Sequence, residues 1–263
     1  MSASLISIVI PIYNQADHVA SIVQQYEEAL TRIQDPHELI LVPNSCRDES
    51  LDICQELTRQ YPSIRVQNSV EGGWGRAVKL GLHEARGDLL CYTNSARTQA
   101  SDLTSLILYA IAHPGAVIKA RRRSRESWNR KIGSFLYNLE CRTLFDLPSW
   151  DINATPKVFS RDIYHAIQPQ SNGDLIDLEF NVRCKQLDIV VLEVPIYSLS
   201  RHGGKSTTNY RSAIHLYQGA FQMWKSMRKQ GYQTRLDIAK RFLFANSVSE
   251  GLKESYPQDL SEE

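Results

Sequence analysis

The first apolar stretch, residues 5–11 (LISIVIP), is continuous and rich in β-branched side chains, which predicts a strand buried on both faces. Apolar positions then fall at helical spacing between 17 and 34, on Val19, Ile22, Val23, Tyr26, Ala29, Leu30 and Ile33. A second strand is predicted over 38–42, ended by Pro43, and a helix over 48–60 with Leu51, Cys54 and Leu57 along one face. A short strand near 64–67 leads to the loop Glu71-Gly72-Gly73-Trp74-Gly75, which opens a helix over 76–86. Residues 88–93 read as a buried strand after the Arg86-Gly87 break. Ser101 is expected to cap a helix carrying Leu103, Leu106, Ile107, Ala110 and Ile111, and 116–120 forms the next strand. Strands alternating with helices predict an α/β fold: a mostly parallel central sheet flanked by helices.

The second half changes character. Residues 131–147 carry an amphipathic helical pattern, 151–159 reads as irregular or as an edge strand, and 189–195 as a strand. A long helical region over 208–245 holds Ile214, Leu216, Tyr217, Phe221, Trp224 and Met227, and ends in a polar, acidic tail expected to fray. The chain is thus expected to divide into a domain over 1–207 and a C-terminal helical extension with a polar tail over 208–263.

Composition narrows the class. The 263 residues are 42% apolar, ample for one large core. A net charge of +1 supplies no global field for nucleic acid, so no nucleic-acid partner is expected. Five scattered cysteines without a CxxC pair fit reduced thiols rather than a disulfide framework or a zinc site. Met1-Ser2-Ala3-Ser4 lacks the basic start of a signal peptide, and no apolar stretch reaches the ~20 residues that span a bilayer. The expectation is a cytoplasmic protein, peripheral to a membrane at most.

In an open α/β sheet, ligands sit beyond the carboxyl ends of the strands. Pro11, Tyr13 and Asn14 end the first strand, where a proline stops the ladder and lets the chain turn. Asn44 ends the second and offers both a donor and an acceptor. Asp48 suits a helix cap. Around Gly73 and Arg76, glycines admit a close ligand and a helix start offers N–H groups to a phosphate. Asn94, Ser95 and Ala96 end the fourth strand.

ISIVIPIYN (6–14), PNSCRDES (43–50), EGGWGRAVKLGLHEARGDLL (71–90), DINATPKVFSR (151–161), DLEF (177–180), LEVPI (192–196) and RHGGKS (201–206) form an ordered set. Together they resemble the inverting GT-A glycosyltransferases of family 2, with a particular likeness to polyprenyl-phosphate sugar transferases such as dolichyl-phosphate mannosyltransferase. The resemblance implies a GT-A, Rossmann-like nucleotide-diphospho-sugar transferase fold. It implies a nucleotide-diphosphate sugar donor held by Pro11, Tyr13, Asn14, Asn44, Gly73, Arg76, Asn94, Ser95 and Ala96. It assigns Asp177 and Glu179 to the catalytic, acceptor-facing side, and Arg121, Asp151, Lys157, Arg201 and Ser206 to phosphate or acceptor contacts; the acceptor itself stays open, a lipid phosphate at a membrane surface being one candidate.

One departure matters. The family carries Asp-x-Asp at the end of the fourth strand, and its carboxylates hold Mg²⁺ or Mn²⁺ against the donor diphosphate. Here the positions are Asn94, with one neutral oxygen, and Ala96, with none, so both carboxylate ligands are absent and dependence on Mg²⁺ or Mn²⁺ stays open. Lys119, Arg121, Arg122, Arg123, Arg125, Arg130 and Lys131 are cations that could meet phosphate instead, or form a solvated or lipid-facing patch.

On the acceptor side, Asp177 and Glu179 suit general-base work toward a hydroxyl, or simply satisfy N–H groups at a helix start. An anionic phosphate acceptor would scarcely need a base. Two functions stay open: transfer of a sugar with inversion, and a catalytically degenerate relative that binds nucleotide or a partner in a regulatory role. A dinucleotide-dependent dehydrogenase is disfavoured, since no GxGxxG follows the first strand.

Overall fold

The computed structural model describes residues 4–123, 128–196 and 210–232. β1 (Ile6–Ile12) leads through α1 (Val19–Leu30) to β2 (His37–Pro43), and α2 (Ser50–Gln60) leads to β3 (Ile64–Val66). α3 (Trp74–Glu84), β4 (Leu89–Tyr92), α4 (Ala100–Ala112) and β5 (Val117–Arg122) continue the alternation. Then come α5 (Trp128–Phe145), β6 (Lys157–Ser160), α6 (Arg161–Ile167), α7 (Ile176–Gln186), β7 (Val191–Ile196) and α8 (Tyr210–Lys229). The strands form one sheet in the order β3-β2-β1-β4-β6-β5-β7. All pairings are parallel except those of β6, which runs antiparallel to β4 and β5.

The apolar run of β1 explains its central place. Ile6, Ile8, Ile10 and Ile12 enter one core with α1, α2 and α4, while Val9 enters a second core with α3, α6 and α7. A strand buried on both faces has no polar alternation to keep. Gly81 lets α3 lie close on the sheet, because a Cβ there would meet Val9 Cγ1 at 2.2 Å. A third core joins α5, α7 and α8 through Tyr137, Cys141, Phe145, Leu178, Val182 and Ala220. All five cysteines are free thiols, and burial pushes those of Cys54, Cys141 and Cys184 up to about 12.

Three local expectations change. The segment expected to be irregular or an edge strand supplies β6, which lies inside the sheet between β4 and β5. Four residues opening on a lysine hide it, yet Lys157, Val158 and Phe159 are fully buried. Ser101 does not cap α4: the helix begins at Ala100, after Gln99, and the Ser101 carbonyl accepts hydrogen bonds from Thr104 and Ser105 inside it. The long C-terminal helical region breaks after Lys229, where Gly231 at φ 92° turns the chain and the Tyr232 N–H bonds the Met227 carbonyl. Its remainder and the acidic tail lie outside the described residues.

Candidate functional site

The carboxyl ends of β1, β2, β4 and β5 share one edge of the sheet, and antiparallel β6 opens there with Lys157, opposite Tyr92. The edge has a neutral half and a charged half.

On the neutral half, Pro11 is buried inside β1 and Tyr13 is 41% exposed beyond it. Asn14 stands at φ 50°, and its Oδ1 accepts the Arg47 N–H at 2.8 Å, tying the β1 turn to the β2 turn. Asp48 laces the same loops, accepting the Ala16 N–H at 3.1 Å and the Ser50 N–H at 3.1 Å; it is not the cap expected of it, because the N-cap position of α2 falls on Glu49 and carries no side-chain cap bond. The Asn44 N–H bonds the Ile12 carbonyl, while its buried Oδ1 has no partner among the described residues. A buried acceptor without a donor is costly unless a ligand or water supplies one.

At the end of β4 the chain closes on itself. Asn94 Oδ1 accepts the Ala96 N–H at 3.1 Å, and the Asn94 carbonyl accepts from the N–H groups of Arg97 and Thr98. Ser95 Oγ donates to Gln15 Oε1 at 2.6 Å, and Ala96 is fully buried. A divalent ion does not fit this donor set: one neutral oxygen already engaged, one hydroxyl engaged, and a methyl. Among the described residues no three His, Cys, Asp or Glu gather as metal ligands.

The glycine-rich turn has a different neighbour from the one expected. At Gly73, which sits at φ 140°, a Cβ would meet the Asn172 carbonyl at 2.5 Å, and at Gly75 the Ser171 carbonyl at 2.4 Å. The Arg76 N–H bonds Asn172 O at 2.9 Å. The close approach is by backbone of 171–173, so this N–H is not free for a phosphate. The Arg76 guanidinium pairs with Glu71 at 2.5 Å at the surface, and its buried Nε has no partner among the described residues.

On the charged half, Lys157 and Lys119 are register partners on β6 and β5, both fully buried. Lys157 pairs with Asp177 on α7, whose carboxylate also accepts from Tyr92 Oη at 2.8 Å and Trp74 Nε1 at 3.1 Å. Lys119 Nζ reaches Glu193 Oε1 and the Asp151 carbonyl, each at 2.7 Å. Asp151 takes Arg122 in a two-point clasp, Nε to Oδ2 at 2.8 Å and Nη2 to Oδ1 at 2.6 Å. Burial pulls the Lys157 ammonium below its ordinary pKa; Asp177 opposes that pull and Lys119 adds to it. Burial, then the adjoining Asp177, push the Tyr92 phenol well above 10, keeping it a hydrogen-bond donor.

The sequence-derived residues therefore separate. Asp151, Lys157 and Asp177 meet in one network. Glu179 turns away: its oxygens accept the N–H groups of Gln170 at 2.9 Å and Ser171 at 2.7 Å, bracing the loop that presses on Gly73 and Gly75. Arg121 is half-exposed, 4.0 Å from Glu193. Arg201 and Ser206 lie outside the described residues. Tyr92, Trp74 and Glu193 were not anticipated. Lys119 inside an apolar strand was the available signal, since a fully buried lysine needs a carboxylate partner.

Comparison with known proteins gives this arrangement a context. The family profile described as glycosyl transferase family 2 matches residues 7–167. Undecaprenyl-phosphate 4-deoxy-4-formamido-L-arabinose transferase of Serratia proteamaculans is 22% identical over 165 residues, 62% of this chain and 51% of the relative. The Proteus mirabilis protein of the same name is 24% identical over 216 residues, 80% of this chain and 65% of the relative. The chain thus spans between half and two thirds of these relatives' lengths. Glucosyl-3-phosphoglycerate synthase from Mycobacterium tuberculosis, solved with Mn²⁺, UDP-glucose and phosphoglyceric acid, superposes with a TM-score of 0.66 at 15% identity, covering 88% of this chain and 81% of that one. Mannosyl-3-phosphoglycerate synthase from Rubrobacter xylanophilus gives 0.65 at 16% identity, covering 88% and 77%. At such identities the likeness is one of fold.

Proposed function

Since this chain belongs to glycosyl transferase family 2, we propose that it transfers a sugar from a nucleotide-diphosphate donor to a lipid phosphate with inversion at the anomeric carbon. One observation carries the choice of acceptor. Both acids on the acceptor side are tied into the fold: Asp177 by Lys157, Tyr92 and Trp74, and Glu179 by two backbone N–H groups. Neither is free to take a proton from an alcohol. An acceptor phosphate arrives ionised and needs no base. The undecaprenyl-phosphate relatives support the same acceptor class.

In this mechanism a phosphate oxygen of the acceptor attacks C1 of the sugar, in line with the departing diphosphate. The C1–O bond to the diphosphate breaks, and the nucleoside diphosphate leaves with its electron pair. Asn14 and Asn44 address the nucleoside beyond β1 and β2, with the unmatched Asn44 Oδ1 waiting for a donor. Arg121, half-exposed beside the edge, and Arg201 and Ser206 meet the phosphates; guanidinium forks suit that charge. The solved relative holds Mn²⁺ with its nucleotide sugar, but the β4 turn of this chain does not fit such an ion, and no step here depends on one.

The test is calorimetric binding of UDP- and GDP-sugars in Mn²⁺ and in EDTA, followed by transfer to undecaprenyl phosphate. Binding unchanged by EDTA together with turnover is the expected result. A second reading, a regulatory relative that binds nucleotide without turnover, is favoured by the self-closed turn at Asn94 and Ala96; binding without product would establish it.

A further inference from the structure

The order of the strands reverses beside β1: β2 and β3 lie to one side of it, while β4 comes back to the other. The crevice beyond the carboxyl ends of β1 and β4 is where an open sheet of this kind takes its ligand. Two loops border it, residues 13–18 leading into α1 and residues 93–99 leading into α4. Ser95 Oγ donates to Gln15 Oε1 at 2.6 Å and so joins one loop to the other.

Both loops carry a carboxamide whose oxygen is engaged. Gln15 Oε1 is held by Ser95, and Asn94 Oδ1 accepts the Ala96 N–H at 3.1 Å. Each group keeps two N–H donors on its nitrogen. Among the described residues neither Gln15 Nε2 nor Asn94 Nδ2 has a hydrogen-bond partner, and neither is a fully buried atom. Gln15 is only 7% exposed, so packing fixes a side chain whose one unused group is a donor. Such a donor is satisfied only when a ligand or water accepts from it.

The surroundings select an anion. The acids of the neighbouring turns are occupied: Asp17 pairs with His18, and Asp48 accepts the Ala16 and Ser50 N–H groups. α1 starts at the crevice with no side-chain cap bond and no acid in its first turn, which leaves the positive end of its dipole uncompensated. α4 contributes less, since Asp102 stands in its first turn. Carboxylates in the places of Gln15 and Asn94 would repel a diphosphate unless a cation lay between, whereas carboxamides of the same shape meet its oxygens directly.

We infer that Gln15 Nε2 and Asn94 Nδ2 hold the diphosphate of the sugar nucleotide through neutral N–H donors, taking the part of a divalent ion. The inference deepens the proposed donor class and rests on that reading for the identity of the anion. It makes Gln15, absent from the sequence-derived site, a binding residue.

Calorimetric titration of the full chain with inorganic diphosphate in EDTA tests it. The assay contains no nucleoside, sugar or acceptor, so it can succeed where transfer fails and fail where transfer succeeds. Gln15→Glu and Asn94→Asp keep the oxygens that Ser95 and Ala96 use and replace only the nitrogens. Wild type is expected to bind, and each of these variants to bind about tenfold or more weakly at an unchanged melting temperature. Gln15→Met, which removes the donors without adding a charge, is expected to lose about threefold or more. Absence of wild-type binding, or wild-type affinity in Gln15→Glu or Asn94→Asp, overturns the proposal. Wild-type affinity in Gln15→Met beside a loss in Gln15→Glu overturns it by making added charge the cause. If the Gln15 variants melt lower than wild type, Asn94→Asp decides, and lower melting of all three overturns the proposal by making the amides part of the fold alone.

Discussion

The end of β4 and the start of β6 are neighbours in the sheet and are held in opposite ways. The β4 end is a neutral turn closed by Asn94, Ser95 and the backbone. One strand away, Lys157, Lys119 and Arg122 are interlocked with Asp177, Glu193 and Asp151. Neutral turn bonds are each worth about 1 kcal/mol. Buried charges are different, because removing one strands its partner. The carboxylates and the buried cations at this edge hold one another and so serve the architecture.

The sharpest way to break that contrast is Lys157→Met, which should cost about 3–5 kcal/mol in urea unfolding by leaving Asp177 buried and unpaired. The double variant Lys157→Met with Asp177→Leu should recover much of the loss; an additive loss would mean the pair is not coupled. Next, Glu179→Gln should cost about 1–3 kcal/mol by weakening the hold on residues 170–171, while transfer stays within tenfold of wild type. A loss of about 10²-fold or more would make Glu179 the base after all. On the neutral side, Asn94→Ala should cost only about 1 kcal/mol and leave nucleotide binding insensitive to EDTA. New metal dependence in that variant would reverse the comparison.

The smallest effect separates the site from the opposite edge of the sheet. Burial pushes the Glu38 carboxyl up, but hydrogen bonds from Ser7, the Arg86 amide and Arg65 outweigh it and hold the group below its ordinary 4.5. A depressed carboxyl gives stability that is present above 4.5 and lost as pH falls through the folded value. Melting temperature followed downward from neutral pH should therefore decline below about 4.5, and Glu38→Gln should flatten that decline. An unchanged slope would move the acid sensitivity to the charged network.

A continuous apolar run located β1, helical periodicity located α1 and α4, and the ordered motifs carried the fold. β6 escaped because four residues beginning with lysine show no period. Trp74 and Tyr92 escaped because their bonds to Asp177 span 103 and 85 residues of sequence. The glycine-rich turn was legible as a close approach, though not what approached, since the carbonyls of 171–173 come from a loop placed by Glu179.

The outermost strands also bear on how the protein behaves at high concentration. A sheet with two free edges invites strand-to-strand association. β3 is only three residues long, and β7 carries Pro195 and turns Glu193 inward onto Lys119. Among the described residues these are the outermost strands, and both are thereby blunted against pairing with another copy. Loss of the Glu193 carboxylate would unpair a lysine and also remove a guard against aggregation, so its first symptom would be insoluble protein before any change in chemistry.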